Sequence, residues 1–458
     1  MAQSLPLTSV FATPSVPSQT KIAAIIQNIG TLALLLLALP INAIIVFLSL
    51  LAFRPVKTKA ANPKNILISG GKMTKALQLA RSFHAAGHRV VLLETHKYWL
   101  TGHRFSQAVD KFYTVPAPQE NPQAYTQALV DIIKQENIDI YIPVTSPVGS
   151  YYDSLAKPAL SPHCEVLHFD AEITQMLDDK FAFAEKGRSL GLSVPKSFKI
   201  TSAEQVLNFD FSGESHPYIL KSIPYDSVRR LDLTKLPCPT PEATAAFVNS
   251  LPISPETPWI MQEFIPGKEF CTHSTVRDGE LRLHCCCESS AFQVNYENVE
   301  NPQIIDWVKH FVQELKLTGQ ISFDFIQTED GKIYAIECNP RTHSAITTFY
   351  NHPLVAQAYL DTEPLATTLQ PLKTSKPTYW TYHEAWRVTG IRSFTQLRKW
   401  LQNIWRGTDA IYQPHDPLPF LMVHHWQIPL LLLKNLSHLK GWTRIDFNIG
   451  KLVEPNGD

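Results

Sequence analysis

One stretch of the chain, residues 320–341, constrains the fold most, because it predicts a β-hairpin. Apolar and polar residues alternate over 320–326, as in a half-buried strand. The Asp330-Gly331 pair then predicts a two-residue turn, since Gly readily adopts positive φ and Asp tolerates it. Residues 332–339 supply the return strand. The chain is therefore expected to build a sheet around this hairpin.

The register of that turn places acidic side chains opposite each other. With a two-residue loop, Asp324 faces Glu337 and Ser322 faces Asn339, and all four side chains share one face of the sheet. Facing carboxylates repel each other unless a cation lies between them. Two carboxylates and an amide oxygen are ligands that suit Mg²⁺, and Arg341 follows with a guanidinium that can hold a phosphate. The alternative is an exposed polar face on an ordinary hairpin.

At these positions the sequence resembles the ATP-grasp superfamily, over residues 66–364. The resemblance rests on an acid, Asp324, and on the pattern Glu-x-Asn-Pro-Arg that begins thirteen positions later at Glu337. It implies that Asp324, Glu337 and Asn339 bind one or two Mg²⁺ ions, or Mn²⁺, which bridge the phosphates of ATP. It also implies that Arg341 contacts the reacting phosphoryl group.

The resemblance also assigns other residues of this chain to an ATP site. Lys180 opens a predicted helix and Lys221 ends a predicted strand, and both match phosphate-binding lysines that act in catalysis with Arg341. Residues 259–269 resemble the family's adenine hinge. In this segment the resemblance assigns contacts with adenine and ribose to Gln262, Glu263, Phe264, Ile265 and Glu269.

The loop after Lys221 departs from the family pattern. Residues 222–230 contain no glycine, whereas the backbone amides of a glycine-rich loop are the usual phosphate cradle. We expect Arg229 or Arg230 to replace that cradle by charge. The alternative is that both arginines are solvated loop charges.

The N-terminal half predicts a smaller sheet of parallel strands. Strand patterns at 65–69, 89–94 and 138–144 alternate with helix patterns at 72–86 and 122–135, as in βαβ units. The predicted fold class is α/β and α+β, with a pre-ATP-grasp βαβ domain before a two-subdomain ATP-grasp fold. The predicted divisions are a tail, hydrophobic helix and linker (1–61), the pre-ATP-grasp domain (62–172), the ATP-grasp domain (173–365) and an apolar, aromatic extension (366–458).

Candidates for the acceptor-substrate site lie at the ends of the predicted parallel strands and after the hairpin. They are Ser69, Gly70, residues 145–150 and His343-Ser344. For Ser69, Gly70 and residues 145–150, loops without a ligand are an equal alternative.

The segment from Ile22 to Phe53 has no charged side chain and predicts a membrane anchor. About 20 apolar residues span a bilayer. Basic residues cluster after the segment, from Arg54 onwards, so the catalytic domains are expected in the cytoplasm, beside a lipid bilayer. The alternative is an amphipathic helix or one buried by a partner. The apolar segment 417–433 is broken by Pro and His, and either lies at a membrane interface or docks on the catalytic core.

Composition argues against nucleic-acid binding and against a disulfide or zinc framework. The chain has 41 basic and 41 acidic residues, so it lacks the positive charge typical of nucleic-acid-binding proteins. Seven cysteines without Cys-x-x-Cys spacing predict reduced thiols rather than a disulfide or zinc framework.

The predicted function is that of an ATP-dependent C–N ligase acting on small molecules. In such an enzyme ATP phosphorylates an oxygen of one substrate, and an amine then displaces the phosphate. The whole chain resembles the cyanobacterial mycosporine-glycine synthases, which join glycine to the cyclohexenone 4-deoxygadusol. The alternatives are a ligase that joins a carboxylate acceptor to an amine, and a membrane-tethered protein that binds ATP without turnover.

Replacement of Arg229 or Arg230 by Ala is expected to weaken the use of ATP about tenfold, because a hydrogen bond to a charged group contributes roughly 1.5–3 kcal/mol. Lys should restore only part of this loss, since it lacks the planar guanidinium. Steady-state kinetics at varied ATP concentration measure the effect. Wild-type kinetics in both single variants and in the double variant would show that these arginines are solvated.

Overall fold

A single long helix begins the part of the chain that the structure describes. The computed structural model describes residues 21–54, 58–145, 148–223, 229, 232–289 and 295–454. Helix α1 (Lys21–Ala52) is almost entirely apolar and contains Pro40. Among the described residues it is the one helix long and apolar enough to cross a membrane.

Five parallel strands form the first sheet, in the order β3-β2-β1-β4-β5. Its central strands β1, β2 and β4 are buried on both faces, which explains their apolar sequences. The sequence missed β3 and β5, which are short or half-exposed. The elements are β1 (Asn65–Ile68), α2 (Thr74–Ala85), β2 (Arg89–Thr95), β3 (Lys111–Val115), α3 (Pro122–Glu136), β4 (Ile140–Ile142), α4 (Val148–Leu160) and β5 (Glu165–Val166).

A small antiparallel sheet in the order β6-β8-β7 follows. The preceding helix α6 starts at a defined residue, because the Asp179 side chain caps it by accepting from the Phe181 and Ala182 amides at 2.8 and 3.0 Å. The elements are α5 (Ala171–Asp178), α6 (Lys180–Ser189), β6 (Ser197–Ile200), α7 (Ala203–Leu207), β7 (Tyr218–Ser222), α8 (Pro241–Asn249) and β8 (Trp259–Glu263).

A second antiparallel sheet, in the order β10-β9-β12-β13, carries the predicted hairpin. Helix α9 is capped by Asn301 and packs Trp307 and Phe311 against Phe323 of β12. The elements are β9 (Lys268–Arg277), β10 (Glu280–Glu288), β11 (Asn295–Tyr296), α9 (Pro302–Glu314), β12 (Gly319–Gln327) and β13 (Ile333–Asn339). A parallel sheet followed by two antiparallel sheets is the predicted mixed architecture.

The C-terminal region docks on the first sheet. Trp380, Phe420, Val423 and Leu432 belong to the same buried cluster as Ile66 of β1. For residues 417–433, docking therefore describes the structure better than a free interfacial helix. The elements are α10 (Val355–Leu360), β14 (Thr378–Tyr379), α11 (Thr381–Arg387), α12 (Phe394–Arg406), β15 (Thr408–Asp409), α13 (Leu418–Met422), α14 (Ile428–Ser437), β16 (Arg444–Asp446) and β17 (Lys451–Val453).

A buried ion pair joins the C-terminal region to the first sheet. Arg81 of α2 donates from Nε to the Asp416 carboxylate at 2.8 Å, and both side chains are less than one-tenth exposed. The same carboxylate accepts from the Ser106 hydroxyl at 2.6 Å and the Gln107 amide at 2.9 Å. The pair is therefore buried with its acceptor oxygens satisfied, which is the condition under which a buried charge is tolerated.

Asp416→Ala is expected to destabilise the protein by about 3–5 kcal/mol, because it leaves the Arg81 guanidinium buried without its counter-charge. A lower midpoint of thermal unfolding measures the loss. The matched control is Asp131→Ala, at an exposed position of α3, which should leave the midpoint almost unchanged. Equal midpoints for the two variants would contradict a structural role for the ion pair.

Candidate active site

The predicted hairpin register is confirmed at the acidic residues. Asp324 of β12 pairs with Glu337 of β13, and Ser322 pairs with Asn339. The Asn339 side-chain amide lies 3.4 Å from a carboxylate oxygen of Asp324. Both acids are half-buried. Two carboxylates and an amide therefore meet on one face of the hairpin, as the sequence predicts.

The turn that produces this register differs from the prediction. The Thr328 amide donates to the Lys332 carbonyl and the Gly331 amide to the Thr328 carbonyl, both at 2.9 Å, so the loop has three residues, 329–331. Gly331 has a φ of 85°, as expected where a three-residue hairpin ends in a left-handed residue. A two-residue loop at Asp330-Gly331 is therefore wrong.

A bulge in β13 restores the register that the longer loop shifts. Phe325 pairs with Ala335 and the next pair is Asp324 with Glu337, so Ile336 is left without a partner across the strand. Such a bulge redirects the backbone around it. Here the Ile336 carbonyl accepts from the Gln262 side chain at 3.2 Å, which ties the hairpin to the facing sheet.

The two acids differ in their electrostatic surroundings. Burial raises the pKa of Asp324, and the charge of Glu337 adds to that rise. Burial acts in the same direction on Glu337, but the positive charges of Lys180, Lys221 and Arg341 outweigh it and lower the pKa of that carboxyl. Glu337 is therefore the more acidic member of the pair. A divalent cation would compensate the repulsion between them.

Three predicted cations surround the acid pair. The Lys180 ammonium lies 3.6 Å from the Glu337 carboxylate. The Lys221 ammonium donates to Gln262 at 3.3 Å, and burial, opposed by the charge of Glu337, lowers the pKa of Lys221. The Arg341 Nε is buried and has no hydrogen-bond partner among the described residues. An anionic oxygen would satisfy that donor.

Two polar side chains of the hinge segment, those of Gln262 and Glu263, point in different directions. The buried Gln262 amide is bonded on both sides, to Lys221 and to Ile336, so its side chain helps to assemble the cleft. The Glu263 carboxylate points away, accepting from His216 at 2.8 Å and from the Lys196 amide at 3.1 Å. A role for Glu263 is thus confined to its main chain.

The remaining hinge residues connect β8 to β9, where Glu269 lies near Asp324. The Phe264 amide donates to the Pro217 carbonyl at 2.8 Å, while Ile265 is buried. Gly267 is needed because a Cβ there would collide with the Gln327 carbonyl, a close approach rather than a positive φ. Glu269 of β9 then lies near enough to contribute to the raised pKa of Asp324, after burial and Glu337.

The structure does not test whether the two loop arginines, Arg229 and Arg230, contact phosphate. Arg229 is exposed and accepts at its carbonyl from the Asp232 amide at 2.9 Å. Arg230 lies outside the described residues. Their predicted contact with phosphate stays a prediction.

The sequence missed Lys75, which reaches the cleft from the first sheet. Its buried ammonium donates to the Thr342 carbonyl at 2.7 Å. Burial lowers the pKa of Lys75 well below its usual value, and the nearby charges of Arg341 and Lys72 act in the same direction. It lies in the first turn of α2, the helix that follows the carboxyl end of β1, where ligand-binding residues of parallel sheets are often found, although this position does not identify its partner.

The sequence also missed Asp178, the last residue of α5. Limited hydration raises the pKa of its carboxyl, while the charges of Arg341 and Lys180 oppose that rise. A further acid, besides Asp324, Glu337 and Glu269, therefore lies at the edge of the cleft.

Most residues predicted to bind the acceptor substrate are hydrogen-bonded to other parts of the protein. The Ser69 hydroxyl accepts from the Val144 amide at 2.9 Å, and Ser150 donates to the Pro340 carbonyl at 2.7 Å. Ser344 accepts from Asn448 of the C-terminal region at 2.8 Å, and the His343 amide donates to His273 at 3.3 Å. Residues 146 and 147 lie outside the described residues. These bonds fix the wall of the cleft beside Arg341.

Comparison with known proteins agrees with this geometry. Residues 177–345 match a family model described as an ATP-grasp domain. This segment of the chain is similar to ATP-grasp domains. The matched residues include the hairpin acids, the three cations and the hinge, and the predicted class, an ATP-dependent ligase, is that of such domains. No curated protein matches the sequence.

Solved structures show the same fold. An N5-carboxyaminoimidazole ribonucleotide synthetase bound to ADP is 17% identical, with a TM-score of 0.51, over 70% of this chain and 82% of that one. The N5-carboxyaminoimidazole synthetase from Staphylococcus aureus is 14% identical, with a TM-score of 0.51, over 71% of this chain and 83% of that one. At these identities the likeness shows the fold alone. The predicted fold class, with the ATP-grasp domain after a parallel sheet, is confirmed.

Glu337→Gln is expected to lower kcat about a hundredfold or more while the protein stays folded, because a cation between the acids stabilises charge by several kcal/mol. Loss of one charge also relieves the repulsion between the side chains at positions 324 and 337, which favours the folded state. ATP-dependent turnover and Mg²⁺ titration measure the two effects.

The matched control for this variant is Glu329→Gln, the same change in the exposed turn of the same hairpin. It should keep wild-type turnover. Unchanged turnover and Mg²⁺ affinity in Glu337→Gln would remove the metal site from this hairpin.

Proposed function

We propose that the protein is an ATP-dependent ligase that joins an amino acid to an activated acceptor. The observation that carries the proposal is the facing pair Asp324 and Glu337 surrounded by Lys180, Lys221 and Arg341. Two acids and three bases in one half-buried cleft suit a metal-bound polyphosphate, whose negative charge needs several cations.

The donor set fits magnesium and ATP. Asp324, Glu337 and Asn339 would hold one or two Mg²⁺, or Mn²⁺, because they offer oxygen ligands from adjacent strands. When bound, the ion neutralises charge on the phosphates. The buried, unpartnered Nε of Arg341 offers a donor to a phosphoryl oxygen. Glu269 would accept from the ribose, and the main chain of Glu263 to Ile265 would contact adenine.

The proposed chemistry has two steps. The γ-phosphoryl group of ATP is transferred to an oxygen of the acceptor, which breaks its bond to the β-phosphate and releases ADP. The amine of the second substrate then forms a C–N bond at the activated carbon, and inorganic phosphate leaves with the acceptor oxygen. Lys180, Lys221 and Arg341 hold the phosphates and offset their charge, so the protein acts mainly by positioning.

The proposed substrates are glycine and the cyclohexenone 4-deoxygadusol, which would give mycosporine-glycine. Support comes from whole-chain resemblance to mycosporine-glycine synthases, including the apolar N-terminus, the glycine-free loop after Lys221 and the apolar C-terminus. A carboxylate acceptor is the alternative within the same chemistry. We propose no nucleic-acid partner, since acidic and basic residues balance.

The protein is proposed to be membrane-associated, with its catalytic domains on the cytoplasmic side. The support is the uncharged segment from Ile22 to Phe53 and the basic residues that follow it, which favour the anionic cytoplasmic leaflet. The lipid bilayer is therefore a proposed partner.

Purified full-length protein with Mg-ATP, a panel of amino acids and either 4-deoxygadusol or carboxylates tests the proposal. We expect ADP release that requires both substrates and a condensed product with glycine, identified by mass spectrometry. An ¹⁸O label in the acceptor oxygen should appear in the released phosphate, because that oxygen is the one phosphorylated.

The Glu337→Gln variant provides the background rate. Product from a carboxylate but not from the cyclohexenone would move the assignment to a carboxylate–amine ligase. ATP binding without ADP release, with every acceptor tried, would identify a nucleotide-binding protein instead. Unlabelled phosphate would contradict activation of the acceptor oxygen.

A further inference from the structure

One face of helix α1 is hydrogen-bonded to the end of the chain. The Gln27 side-chain amide donates to the Trp442 carbonyl at 2.9 Å. The buried Asn28 amide donates to the Lys440 carbonyl at the same distance. Polar side chains in an otherwise apolar helix thus meet a segment that carries a charged lysine.

The same face continues along the helix. Asn42 contacts the Tyr382 hydroxyl at 2.5 Å and the His425 ring nitrogen at 2.7 Å. One turn from the end of the helix, the Ser49 hydroxyl lies 2.7 Å from that of Tyr412. Asn28, Asn42 and Ser49 are all buried, so the contacts are part of the packed structure.

The length of this hydrogen-bonded face limits how α1 can bind to a membrane. At about 1.5 Å per residue, the 22 steps from Gln27 to Ser49 cover roughly 33 Å. The hydrocarbon core of a bilayer is about 30 Å thick. The whole length that would cross a bilayer is therefore already bonded to the folded domain, which cannot enter the hydrocarbon with it.

The opposite face of α1 is apolar and open. It carries no charged residue, and the side chains of Ile26, Leu37 and Leu48 are 66%, 75% and 56% exposed. The most open positions include Ile26, Leu37, Ile41, Ile44 and Leu51. Such a surface is far larger than the scattered apolar residues of ordinary soluble proteins.

Helix α12 presents a second apolar stripe, flanked by positive charge. Phe394, Leu401 and Trp405 are 80%, 53% and 87% exposed and lie on one side of the helix. Its charged residues are all basic, and Arg398 and Lys399 among them are exposed. A basic amphipathic helix with aromatic residues on its apolar side is typical of membrane-surface binding.

Helix α11 connects the two apolar faces. Its Tyr382 contacts Asn42 of α1, and its Glu384 carbonyl accepts from Trp400 of α12 at 3.0 Å. Trp386, on the same short helix, is 68% exposed. Positive charge on α12 opposes the approach of a second copy of the same surface, whereas it attracts an anionic one.

We infer that the protein is a monotopic membrane protein: α1 lies in the plane of an anionic bilayer with its outer face immersed, and α12 lies beside it. The polar stripe of α1 stays bonded to the domain, and the helix does not cross. The inference is independent of the proposed catalytic activity.

Fluorescent probes at Ile26, Leu37 and Leu48 of the full-length protein test the inference. Six of the seven cysteines are buried, so a Cys238→Ser background allows single introduced cysteines to be labelled. On phosphatidylglycerol–phosphatidylcholine vesicles, nitroxide lipids labelled at shallow and deep positions report the depth of each probe. All three should lie at one shallow depth of about 5–10 Å, and a control probe at Leu207 should stay unquenched.

Charge reversal provides a second readout. Arg398→Glu and Lys399→Glu should each weaken binding to anionic vesicles more than fivefold, because each replaces an attraction of about 1 kcal/mol with a repulsion. The effect should shrink at high salt. Lys134→Glu, an exposed position of α3, changes the net charge equally and should not weaken binding.

Two results would overturn the inference. A probe at Leu37 lying about 15 Å deeper than those at Ile26 and Leu48 would mean that α1 crosses the bilayer, since eleven residues rise roughly 16 Å. Unquenched probes, together with a dimer in sedimentation, would mean that a second copy covers the apolar face.

Discussion

The arrangement of the cleft follows from two carboxylates that face each other across a hairpin. Asp324 and Glu337 repel, and the surrounding elements each supply a positive charge that offsets part of that repulsion: Lys180 from a helix start, Lys221 from a facing strand, Arg341 from the segment after the hairpin. Burial raises the pKa of Asp324, and the charge of Glu337 adds to that rise although the three cations offset part of it. A site in this state is prepared for a ligand that brings metal and phosphate together.

The sequence was most informative where a local pattern fixes geometry. The side-chain repeat of a strand is two, so the pairing of Asp324 with Glu337 could be predicted from spacing alone. The turn was wrong by one residue and the bulge at Ile336 compensated, because strand pairing is selected by which face is buried and not by the loop alone. The capped start of α6 at Asp179 was predictable for a similar local reason.

Long-range packing was not predictable. Lys75 reaches the cleft only because α2 packs beside the segment after Arg341, and nothing near Lys75 in the sequence indicates that neighbour. The apolar segment 417–433 has the composition of either an interfacial or a docked helix, and the choice depends on a surface made by residues more than 300 positions earlier. The polar residues of α1 are visible in the sequence, but nothing near them indicates that their partners lie at residues 382–442.

The bond between Asn28 and Lys440 also sets a constraint on synthesis. The two residues are 412 positions apart, so a ribosome adding about 5–20 residues per second separates their appearance by roughly 20–80 s. Throughout that interval the Asn28 side chain and its apolar neighbours have been synthesised, but the C-terminal segment that packs against this face of the helix has not. The apolar side chains of the nascent helix are therefore exposed until residues 440–442 are made, and the helix can meet a lipid surface before it meets the segment that binds its polar face.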